Sequence, residues 1–134
     1  MLEPYNLAVD GGRVPSIGVC SVTSGTGNSY FSTRHGIECD NVASFELVTA
    51  DGSIVTASAT ENKDLFWALK GRSNNLGIVT QFDLFAIPIP NGKVWGGNTF
   101  FLSQQTNNVT DAMAEYQTNG QLTDPDAAVG PSLS

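Results

Sequence analysis

The chain has 134 residues, enough for one domain with a core, and 40% hydrophobic against 14% charged content places it among globular rather than disordered sequences. A net charge of −7, with six scattered Lys and Arg, argues against a nucleic-acid partner or an anionic membrane surface. The apolar runs are too short to cross a bilayer, and Met1-Leu2-Glu3-Pro4 opens without a basic or apolar signal region, so a secretory signal, if the parent protein has one, would lie upstream.

Glycines cluster between Gly11 and Gly36. The stretch from Gly11 to Gly27, rich in Gly, Ser and Thr, predicts tight loops where backbone approaches something closely. Backbone amides at Gly18 to Gly27 and at Gly71 to Gly77 can face a phosphate or a ring edge, or the glycines can serve turns alone; spacing does not choose between these. Cys20 and Cys39 have no metal-ligand spacing; they read as two buried thiols, with a disulfide as the alternative. The single histidine, His35, lacks a Ser/Asp partner pattern and reads as a loop imidazole near the surface.

Ser44 to Ser58 predicts a β-hairpin, with Asp51-Gly52 at the centre of a type I′ turn. A short helix follows, capped by Asn62, with Leu65, Phe66 and Leu69 on one face and Gly71 in the left-handed position after its end. Gly77 to Ile87 alternates as a strand, with Ile78, Phe82, Leu84 and Ala86 on one side and Gln81 and Asp83 on the other. Pro88 to Gly92 predicts a subdomain boundary, and Val94 to Leu102 a further strand with a bulge at Gly96-Gly97. A second helix spans 107–119, capped by Asn108, with Val109, Ala112, Met113 and Tyr116 on one face; the tail from about residue 121 frays. Trp67 is expected to pack its helix and Trp95 to enter the core of the next sheet. Asn108-Val109-Thr110 is a glycosylation sequon that matters only in a secreted parent.

Taken in order, several segments resemble the FAD-linked oxidases with a PCMH-type flavin domain, in particular the fungal berberine-bridge-enzyme-like group. They are Leu7 to Arg13, Val14-Pro15-Ser16-Ile17-Gly18, Gly25-Thr26-Gly27, Phe31 to Gly36, Cys39-Asp40-Asn41-Val42, Ala50 to Val55, Asn62 to Gly71 and Ser73 to Thr80. The likeness runs from about Leu7 to Gly97 and thins beyond. It implies an α+β fold: the second subdomain of a PCMH-type FAD-binding domain, a mixed or antiparallel sheet with flanking helices, over 1–90, and the start of a substrate domain over 91–134. It implies FAD as cofactor, with Val14, Ser16, Ile17, Gly18, Gly25, Gly27, Asn41, Gly77, Ile78 and Val79 lining it, the last three largely through backbone. Asp40 is expected in a structural turn.

The implied function is oxidation of an alcohol, sugar or alkaloid-like small molecule, with reduced flavin returning electrons to oxygen. The first flavin subdomain and its tethering His would lie before Met1, and the catalytic base after Ser134, so no catalytic residue and no metal site is assigned and the isolated chain is expected to be inactive. Cys20, Ser21 and Thr26 stand where the family usually has Gly, which costs about 1 kcal/mol each wherever the site needs a positive φ. Arg72 also replaces a usual Gly; it points to solvent or reaches the pyrophosphate. Val14 stands where some members carry a second flavin-tethering Cys. The alternatives are a truncated, non-enzymatic remnant without a working flavin site, or an unrelated carbohydrate- or nucleotide-binding module.

Overall fold

The computed structural model describes residues 2–72 and 75–130. In chain order these form a two-residue strand Leu7–Ala8 (β1), helix Val19–Ser24 (α1), helical turn Ser32–His35 (α2), strands Val42–Val48 (β2) and Ile54–Ser58 (β3), helix Lys63–Leu69 (α3), strand Ile78–Leu84 (β4) and a two-residue strand Ile87–Pro88 (β5). Helix Thr106–Glu115 (α4) then runs through a π-type turn, Tyr116–Gly120, into Gln121–Thr123 (α5). The result is the α+β class that the sequence predicts.

The central sheet has the order β3-β2-β4, antiparallel throughout. Its hairpin forms where predicted, pairing Val48 with Ile54 through Ser44 with Ser58. The turn is not type I′. Gly52 alone takes a positive φ, of 84°, and Thr49 N–H bonds Ser53 O at 2.9 Å, so three residues form the loop and Gly52 occupies the left-handed bulge position. The Asp51 carboxylate accepts from Thr49 Oγ1, Ser53 N–H and Ser53 Oγ, which holds Asp51 itself out of the left-handed region.

Two bulges set which side chains face inward. Val42 pairs with Leu84 but Ser44 with Asp83, leaving Ala43 extra on β2; Glu46 pairs with Gln81 but Leu47 with Val79, leaving Thr80 extra on β4. Each bulge shifts the two-residue alternation by one. Val42, Phe45 and Leu47 therefore all point to the core, and on β4 the inward set is Val79, Phe82 and Leu84. Ile78, expected on the inward side, is 72% exposed for this reason, and Ala86 lies exposed beyond the strand. Leu65, Phe66 and Leu69 of α3 cover the sheet, with the Phe45 ring 5.8 Å from that of Phe66 and 5.5 Å from that of Phe82.

Helix α3 ends as predicted, with Gly71 at φ 84°. Its start differs: Asn62 stands at the cap position but in left-handed backbone, and its amide donates to Thr56 O at 2.7 Å instead of accepting from the helix. Trp67 is on the far face and 72% exposed. Pro88 does not break pairing; it lies opposite Leu7 in the small β1–β5 sheet, a place where its missing N–H is tolerated.

Three further expectations are corrected. Residues 19–24 are helical rather than loop, because Thr23 is fully buried and bonds Val19 O at 2.8 Å, so tertiary anchoring overrides weak local propensity. No strand forms over 94–102: among the described residues no ladder partners it, and Trp95 is 98% exposed. Helix α4 starts one residue earlier than predicted, with Gln105 at the cap; Asn108 donates to the Gln105 side chain at 2.9 Å. The tail from residue 124 is held to the body by an Arg34–Asp126 ion pair and by Tyr116 O–H donating to Ala127 O at 2.7 Å; Pro131 lies outside the described residues.

Candidate functional site

The two glycine-marked segments of the sequence meet at one groove. Helix α1 lines it with Cys20, Ser21 and Ser24, and the start of β4 with Gly77, Ile78, Val79 and Phe82; its volume is about 590 Å³. Gly77 makes the approach possible. At φ 149° a Cβ there would lie 2.5 Å from Val48 O, so only glycine lets the chain enter β4 this close to the end of β2.

The candidate residues fall into three groups. Gly77, Ile78 and Val79 line the groove. Val14, Ser16, Ile17 and Gly18 form the exposed turn that leads into α1, closed by Ile17 N–H to Val14 O at 3.1 Å, with Gly18 in extended backbone at the helix start. Gly18 needs no explanation inside the fold: its φ is negative and a Cβ would meet nothing within 4 Å. Gly25 and Gly27 sit at the other end of α1. The Gly25 N–H is consumed by Ser21 O and Val22 O, and Gly27, at φ 70°, lets the chain pass against Glu38, where a Cβ would come within 2.5 Å of the Glu38 Cβ. Asn41 is buried elsewhere, its amide donating to Asp10 and to His35 O at 3.0 Å. Asp40 occupies a 3-10 turn, its N–H bonding Ile37 O. Ser73 and Asn74 of the β4-leading motif lie outside the described residues.

Sequence reasoning missed Cys20, Ser21 and Ser24 as lining residues. Their spacing of one, then three, is the face of a helix, a signal visible only once residues 19–24 are read as helical. Of the positions expected to need glycine, Cys20 and Ser21 have ordinary helical backbone; Thr26 alone has a positive φ, of 84°, and its methyl packs on Gly71. The thiols are both free and Cys39 is buried, as expected; Cys20 differs in being exposed, in the groove wall. Burial, then the Asp40 charge, pushes the Cys39 thiol above its usual range.

A buried polar layer supports α1 from behind. Glu38 is fully buried; its Oε1 lies 2.6 Å from Thr23 Oγ1, and its Oε2 has no hydrogen-bond partner. Asp10, also buried, accepts from Ser29 Oγ and Asn41 Nδ2. A second groove, of about 480 Å³, lies at the β1–β5 end; apart from Glu3 and Asn6 its walls are apolar side chains such as Leu2, Leu7, Phe31 and Ile89. Among the described residues no group of His, Cys, Asp and Glu is placed to hold a metal.

About two thirds of this fold superposes on solved flavoproteins. A VAO-type flavoprotein from Myceliophthora thermophila C1 superposes with a TM-score of 0.62 at 34% identity, over 66% of this chain and 16% of its own. A carbohydrate oxidase from Microdochium nivale does so with a TM-score of 0.62 at 40% identity, over 66% and 19%. By sequence, the FAD-dependent monooxygenase prx3 of Penicillium roqueforti is 42% identical across 99% of this chain and 26% of its own length. The bifunctional solanapyrone synthase of Alternaria solani is 45% identical across 92% and 23%. No protein-family model matches. The chain is thus homologous to a segment of fungal FAD-dependent oxidoreductases and similar in fold to VAO-type flavoproteins, and spans about a quarter of the length of the curated relatives it matches.

Proposed function

We propose that the chain supplies one wall of an FAD site in an oxidoreductase, over residues 1–90, and that 91–134 begin the substrate domain. The observation that carries this reading is the groove itself, which joins α1 to Gly77–Val79. Its chemistry fits a flavin. Ile78 in the groove, Val19 of the lining helix, and Val14 and Ile17 in the turn that leads into that helix are each about half exposed or more, apolar surface that a planar ring would cover. Ser21 and Ser24 offer hydroxyls to polar parts of the cofactor, and Gly18 leaves open space that the fold itself does not require. When bound, FAD supplies the electron-accepting chemistry, and the protein's part is position and environment. The substrate would be an alcohol, sugar or alkaloid-like small molecule, with oxygen as the final acceptor.

One observation favours a second reading, a remnant without a working site: Thr26 is strained and the Gly25 N–H is already used by α1. Titration with FAD, followed by flavin fluorescence, separates the two. The flavin-site reading expects saturable binding that weakens at least about tenfold, a loss of ~1.4 kcal/mol, when Ser21→Trp fills the groove. Absence of saturable binding supports the remnant; binding unaffected by S21W places the flavin elsewhere. No turnover is expected from the chain alone, since the described groove residues include no acid–base pair.

A further inference from the structure

The buried layer behind α1 raises a question of proton placement. Thr23 Oγ1 carries one hydrogen but lies 2.8 Å from Val19 O and 2.6 Å from Glu38 Oε1. Val19 O can only accept. If the threonine proton goes there, the short contact to Glu38 needs a proton from the carboxyl. The other carboxyl oxygen points the same way. Oε2 is buried without a donor, on the side of Gly27 where a Cβ would have no room, and an ionised carboxylate would leave charge there uncompensated.

Among the described residues no cation pairs with Glu38. Helix α1 brings only Cys20 as an ionisable group; the segment after β1 brings Asp10, a like charge, and Arg13, whose guanidinium lies toward Gly130; α2 brings His35 and Arg34, the latter paired with Asp126. The loop 25–27 brings none. Glu38's own turn carries Cys39 and Asp40, and Lys70 of α3 reaches the Asp40 carbonyl rather than Glu38.

We propose that Glu38 is a positioning residue kept as a neutral acid: it donates its proton to Thr23, ties α1 and Gly27 together, and releases this wall of the groove when it ionises. Burial raises its proton affinity above the usual carboxyl range; a Thr23 hydroxyl turned to donate to the ionised form would oppose this, and the Asp10 charge adds to it. Because the folded state then holds a proton that the unfolded chain has lost, stability falls as pH rises from the ordinary carboxyl value of 4.5 toward the raised one. The inference is independent of which ligand the groove takes.

The test uses the 134-residue chain with ¹³C-labelled glutamate carboxyls, with Glu38→Gln to assign the signal. One carboxyl is expected to remain in its neutral form at a pH where the other glutamates are ionised, and to vanish in E38Q. In the wild type, amide exchange in residues 19–25, corrected for its intrinsic pH dependence, is expected to speed up as pH rises above the ordinary carboxyl value of 4.5; in E38Q, whose amide donates permanently, it is expected to stay slow. A Glu38 signal that titrates with the exposed glutamates, or the same corrected exchange profile in both proteins, overturns the proposal. The wild-type carboxyl titration decides the matter even if E38Q folds poorly, since a titration in which every glutamate carboxyl ionises together is itself contradictory.

Discussion

At Gly77 the backbone runs so close to Val48 O that a single methyl group has no room, and the φ of 149° adds conformational strain to the clash. Gly77→Ala is therefore expected to destabilise the chain by about 2–3 kcal/mol, read from the shift of a denaturant midpoint. Thr26 is the opposite case: a β-branched side chain at φ 84°, where glycine rests without strain. Thr26→Gly is expected to stabilise by about 1 kcal/mol, and a loss of stability would show that the methyl contact with Gly71 outweighs the backbone cost. Such residues were partly legible. Gly71 announces itself by following a helical pattern, and Thr26 by replacing a glycine in a resembled motif. Glu38 gave no signal, because nothing local in Ile37-Glu38-Cys39 says that a carboxyl is buried; that depends on Thr23 and Gly27 arriving from another part of the chain.

Elements whose information is local were read well. The hairpin and α3 are each dictated within about ten residues by alternation, turn chemistry and a helical stripe. Where bulges intervene, alternation misleads: Thr80 turns Ile78 outward, and no residue type in Ile78-Val79-Thr80-Gln81 marks the shift. The strand expected over 94–102 failed for a different reason, since a strand exists only with a neighbour to pair. The hairpin also carries a pH dependence. The Thr49 hydroxyl, then the Ser53 amide and hydroxyl, hold the Asp51 carboxyl below its ordinary value of 3.8. A lowered folded value means that this stabilisation is present above the unfolded value and is lost as pH falls toward the folded one. Asp51→Ala is thus expected to flatten part of the fall in Tm below about pH 4, measured by thermal melts at a series of acid pH values. Within the core, Phe45→Ala removes the ring that meets both Phe66 and Phe82 and is expected to cost about 3–5 kcal/mol in the same denaturant assay.

For the whole molecule, order is concentrated around β2. The core comprises Val42, Phe45, Leu47, Ala57 and Leu69 with their partly buried neighbours, while Trp95, Phe100 and Leu102 lie open. The tail is attached by the Arg34–Asp126 ion pair, whose side chains are largely solvent-facing. Arg34→Ala is accordingly expected to change global stability by less than about 1 kcal/mol, with a larger effect placing the tail in the folded core. The family was legible from ordered motifs, but the groove was not: it needs α1, which weak helix formers adopt only because Thr23 is anchored from below. Mapping FAD onto the ¹⁵N-labelled chain by amide chemical-shift perturbation tests the central claim most directly. A flavin bound at this groove shifts amides concentrated in residues 14–25 and 77–79, and the shifts saturate. Shifts confined to the β1–β5 end, or none that saturate, would contradict it.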